Sequence, residues 1–246
     1  MAVFGMCEAE RDPSLMFANP APQPRQDVWQ EGEAVRLIKS AWREGYCGLA
    51  ALLAVAWDSQ LSPVDTRSLK INQLRRDRLG AWFEVGRAKT GRLAFATLSV
   101  RTQRLLNAYL AGHAAEPVGS APVFRNRSGR PYSKDTLGDD FRHVRSQVLG
   151  KAEVRQLADF RRSGSVEALA GDASPEKLSS KMANTISASN RLHKTYAPVM
   201  LASVRDVDAA RQRGRVKLRE QKGEKSVTAL DQKYHNRVQQ HRKPLK

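Results

Sequence analysis

The 246 residues carry 42 Lys and Arg against 25 Asp and Glu, a formal net charge of +17 with a pI near 10.4. A polycation of this kind suits a polyanion, because cationic side chains on a phosphate backbone gain free energy by releasing condensed counterions; an anionic membrane surface is the other partner that charge alone admits. A membrane span is excluded by pattern, since the longest apolar run, Tyr46 to Trp57, falls well short of the ~20 residues a span needs and reads as a buried helix.

Met1 to Phe17 mixes Glu8, Glu10, Arg11 and Asp12 into its apolar residues and lacks the basic start and apolar core of a secretory signal, so a cytoplasmic protein is expected. Cys7 and Cys47 make no disulfide framework and have no zinc-ligand spacing. The prolines of Asn19-Pro20-Ala21-Pro22-Gln23-Pro24 block helix and sheet alike, which makes residues 1–27 an extended lead-in and starts the folded body at Val28. Val35, Ile38, Ala41 and Trp42 then fall on one helical face that Gly45 ends, and a second helix follows through the apolar run. Ser62-Pro63-Val64-Asp65 reads as a helix start, with Ser62 as cap, Pro63 at the first helical position and Asp65 near the positive end of the dipole; that helix ends near Leu69.

Ala81 to Arg87 and Leu93 to Leu98 are rich in aromatic and β-branched residues, and Lys89-Thr90-Gly91 supplies a turn between them, which predicts a hairpin. Three helices are predicted after it: Val100 to Leu110 with Leu105, Leu106 and Tyr109 inward; Lys134 to Leu149 behind the Ser133 cap with Leu137, Phe141 and Val144 inward; and Phe160 to Leu169. Ser174-Pro175-Glu176 repeats the earlier cap signature and opens a further short helix. From Leu201 the chain turns basic and poor in large apolar residues, too polar for a core of its own, so residues 201–246 read as a tail that is helical and then disordered. The fold class is mainly α with a small antiparallel β-sheet, an α+β body over 28–200. His113, His143 and His193 show no pairing at metal spacing and no nucleotide-binding motif occurs, so neither metal nor cofactor is expected.

Three residues stand in a telling order on these elements: Lys89 in the hairpin turn, Arg161 in Leu157-Ala158-Asp159-Phe160-Arg161 at a helix start, and Tyr196 in Thr195-Tyr196-Ala197-Pro198. Alone, each has a bland reading: a solvated turn lysine, a phosphate clamp without catalysis, a core aromatic. Together with the element order, they resemble the catalytic domain of the tyrosine recombinases, the phage integrase family, over Val28 to Arg215. The resemblance implies that Lys89 is the hairpin lysine, Arg161 the arginine of the His-x-x-Arg helix and Tyr196 the nucleophile that attacks a DNA phosphodiester. It also exposes departures: Gln60 stands where the family's first arginine belongs, Ala158 replaces the first histidine, and Ser180 the second.

In that family two arginines bind the non-bridging oxygens as charge builds in the transition state, while histidines and lysine manage protons. A Gln60 amide supplies no charge and no bidentate fork, Ala158 transfers no proton, and each lost charge-stabilising donor costs about 10²–10³ in rate. Arg162, Lys181 and Arg67 are the conceivable substitutes. Arg162, Lys181, Arg211, Arg213 and Arg215 are candidate DNA-binding residues, the last three tracking phosphates from the tail. The expected partner is double-stranded DNA, with the tail as a rival packing arm for a second copy or a related recombinase. Three functions stay open: an active recombinase or integrase cutting through Tyr196; a degenerate member that binds DNA as an accessory or domesticated remnant of a bacterial or phage mobile element, associated with the nucleoid; and a basic helical protein serving RNA or a protein partner. The replaced site residues favour the second.

Overall fold

Cys47–Ser59 forms helix α2, apolar on every side, and eleven of its thirteen residues are buried. Such a helix belongs in the middle of a body, and the rest of the chain is arranged around it. In the computed structural model, residues 27–88, 91–113, 118–182, 201 and 204–221 are described. Helices α1 (Glu31–Arg43), α3 (Pro63–Arg67), α4 (Val100–Ala111), α5 (Lys134–Leu149) and α6 (Asp159–Ala170) all pack on α2, and α7 (Pro175–Met182) packs on the sheet and on α6.

The sheet has three antiparallel strands in the order β1 (Leu74–Asp77), β2 (Gly80–Gly86), β3 (Leu93–Thr97). The predicted hairpin is β2 with β3, in register from Trp82 opposite Thr97 to Gly86 opposite Leu93. Ala81, Phe83 and Val85 alternate inward from β2 and Ala94 and Ala96 from β3, toward the core on α2. β1 was not expected: Leu-Arg-Arg-Asp has no apolar alternation, and it joins as a short exposed edge by pairing Leu74 with Phe83 through Asp77 with Gly80.

Local signals place the helices where the sequence puts them. The Ser62 hydroxyl accepts from the Asp65 amide at 3.3 Å and the Ser133 hydroxyl from Thr136 at 3.1 Å, each satisfying one orphan N–H of a first turn. On α5, Leu137, Phe141 and Val144 are buried as predicted. Two inward faces are rotated from expectation. α1 buries Ala34, Leu37 and Ala41, leaving Val35, Ile38 and Trp42 half-buried at the edge of its contact with α2. α4 buries Thr102, Leu106 and Tyr109, with Leu105 half-buried. Small residues sit closest because α2 is itself lined with alanine, which lets the helices approach.

An edge-to-face aromatic chain closes the core where α1 meets α6. Trp29 lies 5.7 Å from Phe160 and 6.2 Å from Phe141, and Phe160 lies 5.1 Å from Trp57. Trp29 also donates from its backbone to the Ser163 hydroxyl at 2.7 Å and from its indole to the Gln156 carbonyl at 2.9 Å, fixing the entry of the chain to a loop 127 positions away.

The basic tail departs most from expectation. A helix over 204–221, here α8, packs on the body and does not stand apart at residue 201. Val204, Val207 and Ala210 recur along one narrow stripe and are buried, Val207 and Ala210 with Ala168 and Ala173 from the α6 side. Two glycines make this approach possible: a Cβ on Gly214 would lie 1.9 Å from the Glu167 carbonyl oxygen, and one on Gly171 1.7 Å from that of Ala210. Gly214→Ala removes a helix-weakening glycine but drives a methyl into backbone, and the clash wins; the variant is expected to lose about 1–3 kcal/mol in urea unfolding. A midpoint at or above the parent's would mean that α8 does not lie on α6 in this way.

Candidate functional site

Arg161 sits in the first turn of α6 and reaches across the end of α2. It donates to the Gln60 carbonyl at 2.7 Å and to the Met182 carbonyl, at the last residue of α7, also at 2.7 Å. Arg87, just past β2, donates to the same Met182 oxygen at 2.5 Å. Two guanidinium groups from different elements therefore converge on one acceptor. Burial, and then the charge of Arg87 beside it, bring Arg161 down to about 10, so it stays cationic at neutral pH in spite of a like-charged neighbour.

Asp65 holds this arrangement together. Its carboxylate takes Arg87 Nε and Nη2, each at 3.1 Å, the Ala88 amide at 2.9 Å and the Ser62 hydroxyl at 2.6 Å. Burial alone raises its pKa; the bonds from Ser62, Ala88 and Arg87 outweigh that and leave it below the ordinary 3.8. The Ala88 bond, with Arg87 N–H to the Arg92 carbonyl at 3.0 Å, closes the hairpin turn beside Arg161. Lys89, which that turn carries, lies outside the described residues, as does Tyr196.

The three positions that the resemblance marks as departures, Gln60, Ala158 and Ser180, fall in distinct places. Gln60 takes a left-handed backbone (φ 57°) at the end of α2, with its side chain fully buried and both amide atoms without a hydrogen-bond partner. It packs on Gly164, where a Cβ would meet its Nε2 at 1.9 Å. Position 60 contributes its carbonyl, as an acceptor for Arg161. Ala158 is exposed at the start of α6, and Ser180 is half-buried on α7. Asp159 is buried and accepts from the Gln156 amide at 2.7 Å, pinning the preceding loop.

The substitutes are mostly committed elsewhere. Arg67 donates to the Tyr132 carbonyl at 3.2 Å. Lys181 is 1% exposed and bonds Thr97 Oγ1 at 2.5 Å and Asp208 Oδ1 at 2.6 Å, joining α7, β3 and α8; burial pulls its ammonium below the ordinary lysine range, with Asp208 pulling back. Arg211 is buried against Glu167 (3.1 Å) and donates to the Trp57 and Asp58 carbonyls, both at 2.8 Å. Arg215 pairs with Glu167 at 3.1 Å and Glu31 at 3.5 Å, and Arg213 reaches the Gly171 carbonyl at 3.4 Å. Lys181 and Arg211, expected as DNA-binding residues, are internal struts in this structure, each a buried cation paired to protein acceptors. Arg162, next to Arg161, is half-buried. Arg87 and Asp65 are the members that sequence reasoning missed as site residues; an arginine two positions before the hairpin lysine was the available signal.

Searches with the sequence find no matching family model and no matching curated protein. Solved structures do match. XerA recombinase superimposes with a TM-score of 0.55 at 15% identity, covering 80% of this chain and 67% of its own. The fold is that of a tyrosine recombinase catalytic domain. XerH site-specific recombinase bound to a palindromic difH substrate matches with a TM-score of 0.55 at 12% identity over 73% of this chain, and a lambda integrase dimer bound to a COC' core site with 0.50 at 13% identity over 73%. The chain spans 51% of that XerH chain and 62% of that lambda integrase chain. Within the recombinase fold, the Arg161 and Arg87 pair lies where α6, α7 and the hairpin meet.

Two outcomes are expected from this geometry. Asp65 has a lowered folded pKa, so its contribution is complete above the ordinary 3.8 and is lost as pH falls through the lowered value; Asp65→Asn should cost about 2 kcal/mol at neutral pH and flatten the acid limb of a Tm-against-pH curve. Gln60→Arg, the residue that the resemblance implies at this position, should lower Tm and add no affinity for DNA, because the new guanidinium enters the core beside Gly164.

Proposed function

We propose that this chain binds double-stranded DNA through its tyrosine recombinase fold, with Arg161 and Arg87 sharing one backbone phosphate, and that it holds DNA without cutting it. The convergence of both guanidinium groups on the single Met182 oxygen carries this reading. Keeping two like charges together opposes folding unless an acceptor sits between them. A phosphate oxygen, with a full negative charge, competes for those same donors better than a neutral carbonyl. The net charge of +17 supplies the longer-range attraction, and the XerH and lambda integrase structures of the same fold are DNA complexes.

Loss of cutting is supported by chemistry. Attack by a phenol, whose ordinary pKa is near 10, needs a group to take its proton and donors to hold the charge that builds on phosphorus. Ala158 has no titratable atom, Ser180 offers a weakly basic hydroxyl, and Gln60 turns its amide away into the core. A remnant or accessory role follows. The alternative, a recombinase cutting through Tyr196, is favoured by one observation: Arg87 and Ala88, which precede Lys89 in sequence, are tied through Asp65 beside Arg161.

Fluorescence anisotropy against a labelled duplex across a salt series tests the binding. Arg87→Ala and Arg161→Lys should each weaken it about tenfold and reduce the salt slope by about one, with circular dichroism unchanged, while Tyr196→Phe leaves it untouched. On a nicked duplex that demonstrably binds, no Tyr196-dependent covalent adduct is expected on a denaturing gel. An adduct would overturn the loss of cutting, and equal affinity for RNA duplex of the same length would overturn DNA as the partner.

A further inference from the structure

A groove of about 520 Å³ runs between α1 and α4, apart from the arginine pair and independent of it. Its floor is apolar, with Val35, Ile38 and Trp42 from α1 and Leu105 from α4. These are the residues whose inward placement the sequence predicts and the fold leaves half-covered. Along its rim stand Lys39, Arg43, Arg101 and Arg104, all exposed and none in an ion pair among the described residues. The acids at its end are already engaged: Glu31 with Arg215 and Arg219, and Asp58 with the Ser99 amide. An apolar floor under an unneutralised basic rim fits an apolar segment that carries acids.

We infer that the occupant is the chain's own residues 1–17. In a chain of net charge +17, this stretch carries Glu8, Glu10 and Asp12 against Arg11 alone, three negative charges and one positive for a net of −2. Around them stand Phe4, Met6, Leu15, Met16 and Phe17, large apolar groups for the floor. Connectivity fits as well. The segment joins the body just ahead of Glu31, the first residue of the helix that forms one wall. Residues 18–26 extended at about 3.1 Å each reach about 28 Å, longer than the about 20 Å of a thirteen-residue helix. Tethering then presents the segment at an effective millimolar concentration, so modest contacts suffice to seat it. Three carboxylates come to a rim of four cations that would otherwise face solvent, and the apolar floor is removed from water.

Cys7 lies within the segment and makes the test direct. In full-length protein with Cys47→Ala, a thiol is introduced by Lys39→Cys in the groove or, separately, by Lys151→Cys, an exposed position outside the groove lining in the loop whose Arg155 donates to the Val28 carbonyl, near where the segment joins the body. Each variant is treated at high dilution with a short bis-maleimide, and the linked peptides are mapped by mass spectrometry. The expected result is an intrachain link from Cys7 to position 39 about ten times more frequent than to position 151, reduced severalfold by Arg101→Glu with Arg104→Glu. Equal yields at the two positions, or a link indifferent to rim reversal, would mean that the tether alone brings the thiols together and would overturn the proposal. Links between chains would assign the groove to a second copy and overturn it equally. Single-site maleimide labelling of both thiols shows in each case that they are reactive, so failure to form the link counts against docking.

Discussion

A helix that is buried on every side must end inside the protein, where its last carbonyls find no water. In α2 those acceptors are met by arginines from distant parts of the chain, Arg211 on α8 taking Trp57 and Asp58 and Arg161 on α6 taking Gln60, while the backbone N–H of Gln60 closes back onto the Ala56 carbonyl at 3.0 Å. Cations at a helix C-terminus also complement its dipole. This requirement fixes where α6 and α8 lie relative to the core, and with them the position of the candidate site. Arg161 is thus held rigid by the same bond that completes the fold, which explains how a long, flexible side chain can be poised beside a second guanidinium.

The remaining interior charges follow the same logic. Glu167 on α6 receives both Arg211 and Arg215 of α8, while Asp208 on α8 receives Lys181 from α7, so charge pairs cross this contact in both directions. Removing one partner from such a group leaves a buried charge without compensation, which costs far more than the pair contributes while intact. The strong positive charge of the chain is therefore divided between cations that hold helices together and those left to face a partner.

Much of the fold was readable from local chemistry. Ser62 before Pro63 and Ser133 before Lys134 mark true helix starts, and Leu137, Phe141 and Val144 point inward, because caps and a 3.6-residue period act within a few positions. Harder to read was anything decided at long range. β1 exists only because β2 offers it an edge, and the α1 face is rotated by the alanine surface of α2 that it meets. Which tail arginine turns inward was not legible, since composition cannot tell an outward cation from one, Arg211, whose acceptor Glu167 lies 44 positions earlier. At Gln60 the pattern supplies a place without a direction, and at its left-handed backbone the side chain goes inward. Arg161 and the hairpin were legible because both are set by neighbours in sequence.

The fit of α8 has a bearing on assembly. Everything that seats this helix belongs to surfaces that each copy of the chain carries: the Gly171 and Gly214 contact, the Lys181 and Asp208 pair, and the acceptors of Arg211. A neighbour's α8 would meet the same acceptors in the same geometry, so the contacts themselves do not distinguish a closed monomer from an exchanged ring or pair. The choice falls to the chain between Met182 and Val204, which sets the entropy of closing on its own body against reaching another. Shortening that stretch would shift the balance toward exchange without altering one buried atom of the interface.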